Sequence, residues 1–129
     1  MHLPMTMLLT GIFALLMVAL SLQVSFRRLA LKTELGDGND EILRRRVRAH
    51  GNFAEYAPSA LIILAMVEYT GTASLWVIVL AAVFLATRLL HAFGILYAPS
   101  SQAKPVAIML QHGAFLVAGA WLIFAALVN

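Results

Sequence analysis

The sequence predicts an all-α membrane protein: a single domain, residues 1–129, folded as a four-transmembrane-helix bundle. Three observations carry that prediction. Of the 129 residues, 62% are hydrophobic, against roughly 45–50% in soluble domains. Four apolar stretches, Leu3–Phe26, Asn52–Tyr69, Thr72–Tyr97 and Pro105–Val128, approach the roughly 20 residues a helix needs to cross a bilayer. The connections between them are short and leave little chain for a soluble domain.

The first stretch, about 3–26, follows "MHLPMTM", which has no Lys or Arg, and precedes "FRRLALK". A signal peptide has a positive leader and a shorter apolar core, so this run reads as a retained helix. In "LKTELGDGNDEILRRR" the "GDGND" segment is a turn by composition. Asp40 is placed to cap a helix that starts at Glu41 and runs unbroken to about residue 69. The turn "TGTAS" leads to a third helix at about 72–97, and "APSSQAK" to a fourth at about 105–128. Gly113, Gly119 and the alanines beside them suit the fourth helix to close packing. Four short helices make a thin bundle, and a site for a charged ligand forms more naturally between subunits. An oligomer is therefore expected.

Seven of the nine basic residues fall between Arg27 and Arg48. The positive-inside rule puts this first connection, and the third with Lys104, in the cytoplasm. A bacterial inner membrane is the expected location. Arg44, Arg45 and Arg46 read as a solvated face that reaches lipid headgroups. The net charge of +3 comes without aromatic–basic interleaving, so nucleic acid is not an expected partner. The absence of cysteine excludes disulfides, thiolate metal sites and a cysteine nucleophile of the chain's own. The four histidines, His2, His50, His91 and His112, have no paired spacing on one helix, and no metal is expected. No catalytic-triad pattern is present.

The chemistry concentrates in "RVRAHGNFAEYAP", residues 46–58. Arg48, Asn52 and Glu55 recur at i, i+4 and i+7, within roughly 60° of one helix face. His50 lies on a different face, and Tyr56 beside the stripe. A charge at mid-bilayer costs about 2.5–3.5 kcal/mol. Glu55 therefore needs a wet cavity or a partner, with an ion pair to Arg48 or Arg88 as the structural alternative. The third helix adds Arg88 and His91, and the fourth adds Gln111 and His112, for which interhelical hydrogen bonding is the plainer role. Glu68, near the far interface, reads as solvated. Arginines suit carboxylates, and a glutamate suits an amine. A small zwitterion with excess carboxylate fits, beside an apolar co-substrate drawn from membrane lipid.

The run "RAHGNFAEYAP" (Arg48–Pro58) resembles the second-helix signature of the MAPEG family, the membrane-associated proteins of eicosanoid and glutathione metabolism. "RLLHAFG" (Arg88–Gly94) is similar to the third-helix segment of its microsomal glutathione transferase branch; the leukotriene-synthase branch tends to have tyrosine at His91. The resemblance implies a homotrimer with glutathione at subunit interfaces near the cytoplasmic side and a lipophilic substrate from the bilayer. It implies that Arg48, Asn52, Glu55 and Tyr56 hold glutathione, with His50 and His91 lining the site and Arg88 binding or organising the ligand. Catalytic members carry an arginine before the fourth helix that stabilises the glutathione thiolate. Here the corresponding position holds Lys104, or Gln102 by another branch's spacing. The implied activity is transfer of glutathione to a lipophilic electrophile, or reduction of a hydroperoxide. The alternative is a non-catalytic lipid-binding or partner protein of the same fold.

Overall fold

The computed structural model describes residues 2–128 as four helices: α1 (Pro4–Leu31), α2 (Glu41–Tyr69), α3 (Ser74–Leu96) and α4 (Ala103–Val128). No strand occurs among the described residues. α1 runs past Phe26, where the apolar run stops, because Arg27 and Arg28 are good helix formers at an end where the dipole favours cations. It stops at Lys32, whose left-handed backbone (φ 54°) caps the last turn. α4 starts two residues before Pro105, which falls in its first turn, where a missing N–H costs nothing.

α1, α3 and α4 are each long and apolar enough to cross a membrane. α2 has 29 residues, about 43 Å of helix, but its first half is too polar to qualify by composition alone. It is nevertheless the central element. α2 packs against all three other helices, whereas α1 and α4 do not meet among the described residues. Leu43, Ala49, Phe53, Ala57, Ala60, Leu64 and Val67 form its buried face, roughly opposite the polar stripe. The three alanines admit neighbouring backbones closely, and Phe53 packs edge-on against Phe13 of α1 at 5.2 Å. The outer surface exposes Leu15, Val18, Met109, Leu116 and many other large apolar side chains, as contact with lipid requires.

Polar clasps close the α1–α2 hairpin at both ends. At the basic end Asp40 accepts from Leu43 N at 2.6 Å, capping α2 as expected, and is gripped by Arg27 through Nε (3.1 Å) and Nη2 (2.7 Å). Arg46 is not simply solvated: its Nη1 donates to the Gln23 carbonyl at 2.9 Å. At the far end Glu68 departs from its expected solvated role. α1 has no side-chain cap of its own, and Glu68 supplies one across the hairpin. It accepts from Met5 N (3.0 Å), Thr6 N (2.9 Å) and Thr6 Oγ1 (2.7 Å). A carboxylate there meets orphan N–H donors and the positive end of the helix dipole.

Candidate functional site

The polar stripe of α2 opens into a cleft of about 860 Å³ that α3 and α4 complete. α2 contributes Arg48, Asn52 and Glu55, α3 contributes His91, and α4 contributes Lys104. Five of the eight residues singled out from sequence thus meet at one cleft. The volume falls in the range of small-molecule sites.

Glu55 forms neither of the ion pairs that were its structural alternative. It and Arg48 make no hydrogen bond or salt bridge among the described residues, and both are exposed. One cation and one anion therefore stand free on the same face, seven residues apart, about 10 Å along the helix. Lys104 Nζ donates to the Pro99 carbonyl at 2.7 Å, which holds the ammonium at the α3–α4 connection. Gly94 lets α3 approach this point: its position faces Lys104 and Ala103 with no room for a side chain.

The other three residues take different places. Arg88 is 1% exposed. It lies behind the cleft wall, donating from Nη1 to Asn52 Oδ1 at 3.0 Å, with its guanidinium 4.6 Å over the Tyr56 ring. Tyr56 does not line the cleft but turns toward α4. Its hydroxyl pairs with His112 Nε2 at 3.3 Å, and its ring stacks on Phe115 at 6.3 Å. His50 is half-buried and outside the cleft lining, as its different helix face dictates. Gln111 is fully buried and accepts from Thr87 Oγ1 at 2.5 Å. Gln111 and His112 thus make the interhelical bonds expected of them.

Glu41, Arg44 and Arg45 also line the cleft, beyond what the sequence reasoning included. Glu41 is ion-paired to Arg44 and to Arg45, the latter at 2.8 Å. The signal was available: 41, 44/45, 48, 52 and 55 continue one stripe at three- and four-residue steps. A second groove, of about 880 Å³, lies toward the other ends of α3 and α4. It is apolar, flanked by Trp76 and Trp121, with Trp121 Nε1 bonded to Thr72 Oγ1 at 3.0 Å.

Comparison with known proteins places the chain among membrane proteins. Residues 6–125 match the MAPEG family. The inner membrane protein YecN of Escherichia coli strain K12 is 35% identical over 81 residues, 63% of this chain and 62% of the relative. YecN of E. coli O6:H1 strain CFT073 matches to the same extent. The match spans under two thirds of either relative's length. No solved structure matches the chain. With Arg48, Asn52, Glu55 and His91 of its signature segments at one cleft of a four-helix bundle, and with a family match over nearly its whole length, the chain belongs to the MAPEG family.

Proposed function

We propose that the cleft binds glutathione and that the protein acts as a membrane glutathione transferase or peroxidase on lipophilic electrophiles or hydroperoxides. The observation that carries this reading is the unpaired Arg48 and Glu55 on one wall of the cleft. Glutathione has two carboxylates and one ammonium, so its charges complement a site with excess cation and one free carboxylate. Arg48 suits a carboxylate, Glu55 the ammonium, and His91 the peptide groups between. The reactive thiol would lie toward Lys104. A free thiol has a pKa of about 8.5, and each unit of lowering takes about 1.4 kcal/mol of preference for the thiolate. Lys104 can contribute as a point charge.

The reading extends to assembly and location. The cleft is open on the side where Arg48 and Glu55 are exposed, and a neighbouring subunit of a homotrimer would close it. The basic end of the bundle faces the cytoplasm in a bacterial inner membrane, the location that the relatives' name also carries. One observation favours the second reading, a non-catalytic lipid-binding or partner protein: the Lys104 ammonium already donates to a backbone carbonyl, which divides its charge between that acceptor and any thiolate.

Calorimetry of glutathione binding to detergent-purified protein tests the proposal. Arg48→Ala and Glu55→Gln each remove a charged contact worth about 1.5–3 kcal/mol, so each should weaken binding by roughly tenfold or more. Absence of binding to the wild type would sink the glutathione reading. Binding without the ultraviolet absorbance of a thiolate would favour the non-catalytic alternative.

A further inference from the structure

Arg88 is a fully buried cation with no carboxylate at ion-pair distance among the described residues. Its guanidinium offers five donors and no acceptor. Nη1 reaches Asn52 Oδ1, and the Tyr56 ring lies beneath the charge. Nε and Nη2 are buried without any hydrogen-bond partner. A buried charge satisfied this incompletely costs stability. An aspartate at position 52 would be the simple remedy, since it has nearly the shape of asparagine and would make an ion pair. The chain has asparagine instead.

The choice has a consequence at the cleft. Arginine can only donate, so the Asn52 atom facing it must be the amide oxygen. The amide nitrogen, with both hydrogens, then has to face another way. Asn52 lines the cleft, and its Nδ2 has no partner among the described residues. The geometry points to Arg88 as a positioning residue that never touches the ligand: it locks the Asn52 amide so that the cleft meets a donor at this level. Arg48, one helical turn away, is the neighbouring free donor. Together they select an acceptor oxygen, a carboxylate above all, and exclude an ammonium from this part of the cleft. Aspartate would satisfy Arg88 but turn a second carboxylate oxygen toward the ligand. The buried cation is thus left short of partners in favour of ligand selection.

This inference rests on the glutathione reading for the identity of the ligand, but not for the lock between Arg88 and Asn52. The test is Asn52→Asp in the full chain, purified in detergent. Two quantities are compared with the wild type: the melting temperature without ligand, and the calorimetric affinities for glutathione and for its diethyl ester, whose carboxylates are masked. The variant should melt higher, and adding Arg88→Gln should abolish that gain. Its affinity for glutathione should fall about tenfold or more, and the wild-type preference for glutathione over the ester should collapse. A melting temperature that is unchanged or lower overturns the lock. An unchanged preference for glutathione over the ester overturns the donor assignment. If the wild type binds neither compound, the glutathione reading fails, and the melting comparison alone supports or overturns the lock.

Discussion

A Cβ on Gly94 would lie 2.8 Å from Lys104 Cγ and 3.1 Å from both Lys104 N and Ala103 Cβ. The lysine side chain can bend away, but its backbone nitrogen cannot. Gly94→Ala should therefore push α3 from the start of α4, at a cost of about 1–3 kcal/mol. It should also displace the ammonium from the Pro99 carbonyl. Thermal melting in detergent reads the first effect, and weakened glutathione binding reads the second. At this scale the sequence was legible wherever helix geometry alone decides. Arg48, Asn52 and Glu55 share a face whatever surrounds the helix. Tyr56, about 80° around from Arg48, falls between two neighbours, and only the placement of His112 and Phe115 on α4 settles which way it turns. The close approach at Gly94 depends on how two helices cross, which no local pattern records.

Among the elements, the α1–α2 hairpin depends most visibly on charge. The Arg27 guanidinium, followed by the Leu43 N–H, holds the Asp40 carboxyl below its ordinary value of 3.8. A carboxylate whose pKa is lowered by folding contributes stability that is fully present above its ordinary pKa. That contribution is lost as the pH falls through the lowered value. Asp40→Asn keeps an oxygen to cap α2 but removes the charge from Arg27. The variant should melt lower than the wild type at neutral pH, and the gap should close in acid. A gap independent of pH would show that the ion pair contributes nothing. The cap itself was readable from "GDGND" before Glu41. Its grip by Arg27, 13 residues earlier, and the Glu68 clasp on Met5 and Thr6, more than 60 residues away, were not. Such partners are fixed by hairpin docking rather than by local pattern.

For the whole molecule, composition and the distribution of charge were the most informative levels. Four helices and a membrane bundle follow from apolar run length, and the proposed orientation follows from seven cations at the end of the bundle where α1 gives way to α2. The absence of cysteine makes the orientation simple to test, because an introduced thiol has no background. Cells carrying Ser74→Cys should react with a membrane-impermeant thiol reagent while intact. Those carrying Glu34→Cys should react only after permeabilisation. Labelling in the opposite order would invert the topology. The clasps have a further consequence. The first hairpin is tied to itself at both ends, by Asp40 and Glu68, and the second is joined along α3 and α4, where Thr87 meets Gln111. The two hairpins are not separate bodies, because α2 packs against α3 as it does against α1. The cleft opens where α2, α3 and α4 meet, with the Arg88–Asn52 contact behind its wall and the Tyr56–His112 contact joining α2 to α4 outside its lining. A small molecule seated there would act as a staple across three helices, and by mass action its concentration would add to the stability of the bundle.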